Sequence, residues 1–247
     1  MNKTPRIYAM IVAAGQGSRF GASLPKQYVV LHHQTLLQHS VARLAQSAYI
    51  DACLLVLAAD DSTAQTLDFA LPIYHTIGGA ERWQSVFAGV EAIIQAGADD
   101  TDLILIHDAA RPAVPCRDID SVIEAAMDET YGAILATPVA DTLKQSQLKP
   151  NRYSSTQTNP TSHYYTTHSV DRSDMWQAQT PQVFRVAQLK QALTHVATHK
   201  LMITDEASAF EHLQLPIRLV MGSRQNIKLT YPDDDILLSA ILNAYLG

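Results

Sequence analysis

The stretch of sequence that decides the fold lies at residues 7–21, which read IYAMIVAAGQGSRFG, and Pro-Lys-Gln follows at residues 25–27. Its first seven residues have the length and the Ile and Val content of a buried parallel strand. Glycines directly after such a strand let backbone N–H groups approach a polyphosphate closely, and Arg19 and Lys26 add positive charge beside them. The stretch therefore predicts a strand that leads into a phosphate-binding loop.

The sequence of this stretch does not match two other known phosphate-binding loops. A dinucleotide fingerprint needs Gly or Ala where Phe20 stands, and a Walker loop needs Gly-Lys followed by Ser or Thr, which the stretch lacks. The simplest alternative is a tight turn from a strand into a helix, in which Arg19 and Lys26 are only solvated.

Length and composition set the outer limits. The 247 residues are enough for one large α/β domain, or for one domain that carries an insertion. Hydrophobic residues at 47% and charged residues at 17% are ordinary for a globular protein. The formal charge of −6 argues against a general nucleic-acid binder, because such proteins usually carry a basic surface. An anionic ligand must therefore be held by a local cluster of cations.

Three further features argue against other classes of protein. Neither Cys53 nor Cys116 has Cys-x-x-Cys spacing, so both are interpreted as inert thiols. His195 and His199 have metal-ligand spacing, but Val196 replaces the Glu of a zinc protease, which favours a solvated helix face. Residues 1–6 lack the apolar stretch of a signal peptide, and no run of about 18 apolar residues follows. We expect a cytoplasmic protein without a membrane partner.

Along the chain, short apolar runs rich in β-branched residues alternate with segments of helical period. This alternation is typical of an α/β, doubly wound, mostly parallel sheet with crossover helices. One predicted helix begins with a capping box at residues 35–38 and buries Leu37, Val41, Leu44 and Ala48. Other helices are predicted near residues 83–94, 119–127 and 186–198, after residue 204 and from residue 233. The remaining predicted strands occupy residues 52–58, 73–77, 103–106, 133–136, 217–221 and 227–229.

The alternation stops at residues 144–168, which contain no acidic residue and show no helical period. A disordered polar loop is one interpretation, but the Tyr and Thr content favours an extended β-arm. We place this arm at residues 141–174, inserted into a domain formed by residues 1–140 and 175–247. Because such an arm has no core of its own, pairing with its copy in a homodimer would stabilise it.

Polar motifs follow the strands or interrupt the pattern, and ligands of such sheets bind at the carboxyl ends of strands. Gly79 and Ser85 lie where the start of a helix can face a base or a phosphate. A plain turn that binds no ligand is the alternative interpretation of the same residues. Asp108 either caps the next turn or faces a metal or a substrate hydroxyl, and we favour the second. The motifs are GGAERWQS at residues 78–85, HDAARP at 107–112, DTLK at 141–144, VDR at 170–172, WQAQTPQ at 176–182, TDEAS at 204–208 and NIKLT at 226–230.

The first loop resembles the signature of sugar-nucleotide and alditol-phosphate nucleotidyltransferases, Ala-Ala-Gly-x-Gly-x-Arg followed by Pro-Lys-Gln. In order and spacing, the whole set of motifs resembles the cytidylyltransferases of isoprenoid precursor synthesis, which join CTP to 2-C-methyl-D-erythritol 4-phosphate. Related enzymes that use ribitol 5-phosphate, the alternative, typically have His-Asp-Ser-Val-Arg-Pro and Thr-Asp-Ala-Cys instead of HDAARP and TDEAS. The resemblance covers nearly the whole chain and implies a Rossmann-like nucleotidyltransferase fold.

The resemblance also implies roles for individual residues. Arg19, Lys26, Arg172 and Lys228 would be the catalytic cations, with Thr142 and Arg172 reaching the site from the arm of a second subunit. The arm is longer than the family usually carries, so its other contacts are not transferred. The residues implied to hold CTP are Ala13, Ala14, Gly15, Gly17, Arg19, Lys26, Gly79 and Ser85. Those implied to face methylerythritol phosphate are Asp108, Arg111, Thr142, Thr180, Thr204, Arg172 and Lys228.

The implied chemistry is consistent with these residue types. Attack by a phosphate oxygen on the α-phosphorus of CTP brings two polyanions together, so positive charge is the main catalytic requirement. A phosphate monoester needs no general base, and no Gly-x-Ser-x-Gly elbow is present. Mg²⁺ is the expected cofactor, held mainly by the CTP phosphates, with Asp108 as the nearest protein group. The retained cations argue against an inactive nucleotide sensor, and Phe20 argues against a dinucleotide-dependent oxidoreductase.

Overall fold

The computed structural model describes residues 4–15, 25–150 and 162–246. The chain divides into two compact units, residues 1–136 with 178–247, and residues 137–177. The second unit is slightly wider than the predicted arm, because strands of the first unit continue into it. The two units are called the core unit and the arm.

Within the described residues, a seven-stranded sheet and flanking helices form the core unit. Its strands are β1 (Ile7–Val12), β4 (Cys53–Leu57), β5 (Ile73–Ile77), β6 (Leu103–Asp108), β7 (Gly132–Pro138), β10 (Trp176–Arg185) and β11 (Arg218–Met221), with β7 and β10 continuing into the arm. A small hairpin pairs β2 (Val30–Leu31) with β3 (Gln34–Thr35). The helices are α1 (Leu36–Leu44), α2 (Arg82–Gln95), α3 (Cys116–Asp128), α4 (Val186–His199), α5 (Glu206–Glu211) and α6 (Asp234–Leu246).

The strand order is β11-β7-β10-β6-β1-β4-β5. Strand β1 pairs in parallel with β6 and β4, and β4 pairs in parallel with β5, so these four strands end at the same edge of the sheet. In the β1–β6 register Val12 lies opposite Asp108, which brings the glycine loop beside the HDAARP motif. Strand β10 runs antiparallel to β6. The predicted α/β, mostly parallel fold is confirmed.

Side chains alternate between the two faces of the sheet and build one core on each. Ile11 and Leu55 pack on the face covered by α1 and α3, whereas Met10 and Val56 pack on the face covered by α2, α4 and α5. All six residues of β6 are buried, as expected for a strand covered on both faces. Rigid layers of this kind hold the carboxyl edge of the sheet in place.

Two local predictions are wrong. Residues 227–229 form no strand, because Leu229 packs instead into a third cluster with Leu36, Leu238 and Leu242, while its N–H donates to the Ala110 carbonyl at 2.9 Å. Helix α1 begins with the predicted capping box but ends at Leu44, and Ala48 is exposed beyond it. In both cases a tertiary contact or an early helix end overrides a short periodic pattern.

The arm contains an antiparallel hairpin of β8 (Leu143–Pro150) and β9 (Ser162–Val170). Its register runs from Leu143 opposite Val170 to Pro150 opposite Ser162, with an irregularity between Gln145 and Ser146. The extended β-arm is therefore confirmed. Nearly every described residue of β9 is exposed within the single chain.

Candidate active site

A cleft of about 220 Å³ opens at the carboxyl edge of the sheet. It is lined by residues from the first loop, the start of α2, the end of β6 and the segment before α6. The residues that line it are Val12, Ala13, Ala14, Gly15, Lys26, Gln27, Gly79, Ala80, Glu81, Arg82, Ser85, Asp108, Ala109, Ala110 and Lys228. Eight of the residues implied by the resemblance are in this set: Ala13, Ala14, Gly15, Lys26, Gly79, Ser85, Asp108 and Lys228.

The two ends of the first loop are fixed to the sheet. The Ala13 N–H donates to the Val56 carbonyl at 2.9 Å, and the Gln27 side chain donates to the Ala13 carbonyl at 2.7 Å. Lys26 begins a short 3₁₀ turn, and its Nζ donates to the Leu229 carbonyl at 2.5 Å. That bond joins Lys26 to the segment that carries Lys228. Arg19 and Gly17, also predicted here, lie outside the described residues.

The start of α2 is packed closely against the cleft. The Ser85 hydroxyl accepts from the Gly79 N–H at 3.1 Å. A Cβ on Gly78 would lie 2.6 Å from the Ser85 oxygen, and one on Gly79 would lie 2.4 Å from the Gln84 Cβ. Both glycines are therefore required by close approach, as the sequence motif indicated. Gly79 lines the cleft just ahead of the helix.

Asp108 lies between two cations. Its Oδ1 accepts from Arg82 Nη2 at 3.0 Å, and its Oδ2 accepts from Lys228 Nζ at 2.5 Å. Burial alone would raise the pKa of Asp108, but the charges of Arg82 and Lys228 outweigh burial and hold that pKa well below its usual range. Asp108 is therefore ionised throughout the physiological pH range.

His107 and Thr180 support Asp108 from behind. The Asp108 N–H donates to Thr180 Oγ1 at 3.1 Å, and Thr180 Oγ1 lies 3.0 Å from His107 Nδ1. His107 Nε2 lies 3.1 Å from the Arg111 carbonyl, which can only accept. His107 is thus a neutral imidazole that donates from Nε2 and accepts at Nδ1. Burial, the largest cause, lowers the pKa of His107 to about 4.

This buried histidine gives a testable pH dependence of stability. Because its folded pKa of about 4 lies below the unfolded value, the unfolded chain binds more protons between these two values. The stability that the neutral His107 contributes to the folded protein is present above about pH 6.5 and is lost as the pH falls toward 4. We expect the free energy of unfolding to drop by roughly 2 kcal/mol from this group between pH 7 and pH 5.

Urea unfolding at pH 7, 6 and 5 measures that loss. His107→Gln should reduce the pH dependence, whereas His212→Gln, which changes an exposed histidine, should retain it. Equal pH dependence in all three proteins would show that His107 does not titrate on unfolding.

Three predicted substrate residues, Thr180, Arg111 and Thr204, lie near the cleft and do not line it, and Thr180 is the buried residue behind Asp108. Arg111 is mostly buried, and its Nη1 donates to the Asn226 carbonyl at 2.6 Å, so it braces the segment that carries Lys228. Thr204 is exposed at the edge of a separate pocket of about 70 Å³, which Arg82 and Glu206 also line. Thr142 and Arg172 belong to the arm, where Arg172 Nη1 donates to the carbonyls of Val139 and Ala140.

Sequence reasoning missed three charged residues of the site, Glu81, Arg82 and Glu206, of which Glu81 lines the cleft. Arg82 lines the cleft and bonds to Asp108, and Glu206 is wholly buried against Arg82. Arg82 and Glu206 lie inside the motifs GGAERWQS and TDEAS, but nothing in the sequence indicates that the two motifs meet. The signal available in the sequence was that each motif contains a charged residue close to a position already assigned to the site.

Other candidate features of the sequence carry no site in the described part of the chain. The rings of His195 and His199 lie next to each other on α4, with centroids 4.1 Å apart and planes tilted by 38°, and no group of three His, Cys, Asp or Glu side chains is placed to hold a metal in the described residues. Cys53 and Cys116 are both unpaired thiols, and burial raises the pKa of Cys53 to about 12. None of the described helices has the length and apolar character needed to cross a bilayer.

The mostly parallel sheet and the cleft at its carboxyl edge define the class, an α/β protein with a site suited to a phosphorylated ligand. Residues 7–244 match the family model "IspD: 2-C-methyl-D-erythritol 4-phosphate cytidylyltransferase". A relative with that name from Psychrobacter arcticus is 69% identical over 99% of this chain and 94% of its own length. Another with that name from Photobacterium profundum is 40% identical over 94% of each chain. The chain belongs to the 2-C-methyl-D-erythritol 4-phosphate cytidylyltransferase family.

Solved structures agree with this membership. A crystal structure of 4-diphosphocytidyl-2C-methyl-D-erythritol synthase has a TM-score of 0.80 and 34% identity, and covers 97% of this chain and 100% of that one. The Francisella tularensis 2-C-methyl-D-erythritol 4-phosphate cytidylyltransferase has a TM-score of 0.76 and 27% identity, and covers 96% and 99% of the two chains. This protein is therefore an enzyme, a cytidylyltransferase, and the ribitol phosphate alternative is not favoured.

Proposed function

We propose that the cleft transfers the cytidylyl group of CTP to 2-C-methyl-D-erythritol 4-phosphate, giving the CDP-alditol and pyrophosphate. The observation that carries the proposal is the hydrogen bond from Lys26 to the Leu229 carbonyl, which joins the two loops that supply Lys26 and Lys228 to one cleft. A phosphate oxygen of the alditol phosphate attacks the α-phosphorus, and pyrophosphate leaves with the bonding electrons. No proton needs to be removed from this nucleophile.

The two substrates are assigned to different walls of the cleft. The backbone of Ala13–Gly15 and the α2 start at Gly79 and Ser85 would hold CTP, because exposed N–H groups at a helix start favour phosphate and base contacts. Asp108 and Lys228 would face the alditol phosphate, since a carboxylate accepts from hydroxyl groups and an ammonium binds phosphate. Lys26, and with it Arg19, would meet the charge that develops on the triphosphate.

Mg²⁺ belongs to the proposal as an ion that the CTP phosphates carry. Both oxygens of Asp108 accept hydrogen bonds from cationic side chains, so Arg82 and Lys228 already balance the charge of this carboxylate. Mg²⁺ commonly binds through one or two carboxylates together with substrate phosphates and waters. The ion would neutralise charge on the triphosphate, with Asp108 as the nearest protein group.

The arm supports a homodimer. Tyr164 is 77% exposed and Leu148 is 54% exposed in the single chain, and an isolated two-stranded hairpin is only marginally stable in water. Pairing of two arms about a two-fold axis would cover these side chains. In that dimer Thr142 and Arg172 of each arm would reach the partner's cleft. A cytoplasmic location completes the proposal, because CTP is available there.

Substrate selection tests the reaction directly. With CTP and Mg²⁺, purified protein is expected to release pyrophosphate when methylerythritol 4-phosphate is present and to turn over ribitol 5-phosphate, erythritol 4-phosphate and glycerol 3-phosphate far more slowly. The expectation rests on Asp108 and Lys228, which face the cleft as a carboxylate and an ammonium in contact. Turnover of ribitol 5-phosphate equal to or faster than that of methylerythritol 4-phosphate would contradict the assignment.

A further inference from the structure

Glu206 has a buried carboxyl group that the reaction as described does not use; burial raises its pKa, and the charge of the adjacent Arg82 opposes that rise. Its side chain has 0% exposure and its Oε1 accepts from Arg82 Nη1, while its Oε2 has no hydrogen-bond partner among the described residues. A buried carboxylate with one unsatisfied oxygen costs stability even when its other oxygen is ion-paired. Such a group calls for an explanation other than stability alone.

Arg82 connects this buried charge to the cleft. Its Nη1 contacts Glu206, while its Nε and Nη2 approach Asp108 Oδ1 at 3.3 Å and 3.0 Å. A guanidinium is planar and presents its donors in a fixed fork, so holding one edge determines the direction of the other. Because Glu206 lies on α5 within the core, it fixes the edge that Arg82 presents to Asp108.

The two oxygens of Asp108 are divided between two cations of different mobility. Oδ1 faces Arg82, whose side chain is anchored at its far edge by Glu206, and Oδ2 faces Lys228 Nζ at 2.5 Å. The Lys228 side chain is 40% exposed at the cleft and ends a flexible stem. An arriving phosphate dianion can therefore attract Lys228 away from Asp108, whereas Arg82 stays in place.

We propose that Glu206 and Arg82 are positioning residues that keep Asp108 ionised and oriented, so that Oδ2 passes from Lys228 to a hydroxyl group of the alditol phosphate. The inference rests on the proposed function and assigns a recognition step within it. This recognition step involves a row of acidic and basic side chains in alternating order: Glu206, Arg82, Asp108 and Lys228. Lys228 leaves the Asp108 carboxylate and binds the substrate phosphate. Asp108 then accepts from a substrate hydroxyl group in place of the Lys228 ammonium.

Glu206→Gln tests the idea because it removes the charge and keeps the shape. The neutral amide oxygen of Gln accepts from Arg82 more weakly than the carboxylate does, so Arg82 is freed to turn toward Asp108 Oδ2, which then no longer accepts from the substrate. We expect the KM for methylerythritol 4-phosphate to rise by about 10-fold, with kcat and the KM for CTP within about twofold, because the lost contact serves acceptor binding. Glu211→Gln makes the same change at an exposed position of the same helix and should behave as wild type.

Arg82→Lys provides a second route to the same measurement. Lysine keeps the charge but cannot contact two carboxylates as a fork, so the same selective rise in KM is expected. Thermal unfolding of each variant separates this effect from simple loss of folded enzyme. A purely structural role would lower the amount of active protein without changing the KM for one substrate alone.

A double-mutant cycle decides whether Glu206 acts through Asp108. In an Asp108→Asn background, Glu206→Gln should change the KM for methylerythritol 4-phosphate by less than about twofold, since coupled residues are not additive. A full 10-fold rise in that background, or a wild-type KM in both folded single variants, would overturn the inference. If Glu206→Gln does not fold, Arg82→Lys combined with Asp108→Asn decides in the same way. Absence of turnover by the wild-type enzyme would instead refute the proposed function.

Discussion

Replacing Lys26 by Met is expected to lower turnover of CTP with methylerythritol 4-phosphate by about 100-fold or more, because the loss of one preorganised donor has effects of this size. Lys26 lines the cleft, and its bond to the Leu229 carbonyl fixes the Nζ atom beside Lys228. As the α-phosphorus is attacked, charge builds on the equatorial and leaving oxygens, where a fixed ammonium stabilises the transition state more than the ground state. The loss should therefore appear mainly in kcat.

Lys190→Met is the matched control, because it removes a half-exposed lysine on α4 that pairs with Glu91. Steady-state kinetics and thermal unfolding of both variants separate catalysis from folding. A folded Lys26→Met enzyme with kcat within about twofold of wild type would remove Lys26 from the mechanism.

Arg172→Ala is expected to be nearly inactive while still binding CTP. In the proposed dimer, the guanidinium of Arg172 fixes the methylerythritol phosphate dianion opposite Lys228 of the partner, and bidentate recognition of phosphate by arginine is difficult to replace. Within its own arm, Arg172 Nη1 donates to the carbonyls of Val139 and Ala140, so the variant also needs a check of arm structure. CTP binding by calorimetry and molecular mass in solution provide that check.

Mixing Arg172→Ala with Lys26→Ala subunits under exchanging conditions tests the shared site. A heterodimer whose arms cross over contains one pocket free of both changes and one pocket that carries both. Activity should rise from near zero toward half of the wild-type value per heterodimer. If mixed dimers form and no activity returns, Arg172 serves its own subunit's pocket. Arg117→Ala, which changes a highly exposed arginine of the core unit, is the control for a general loss of positive charge.

The sequence by itself determined those features that local chemistry controls. The apolar run before residue 14, the glycine at 79 and the capping box at Thr35 each depend on residues close in the chain. Strand-to-loop motifs also predict the active edge, because parallel strands all end there. For these reasons the mostly parallel sheet, the β-arm and eight of the fifteen cleft-lining residues could be predicted without coordinates.

The tertiary structure alone decided how distant segments meet. The bond between Arg82 and Glu206 spans 124 residues, and the bond between Lys26 and Leu229 spans 203 residues. No local pattern encodes such a pairing, since it depends on the order of strands and on which helix covers which face. The same reason explains residues 227–229, whose apolar residues favoured a strand but serve to pack Leu229 under α6 and to hold Lys228 at the cleft.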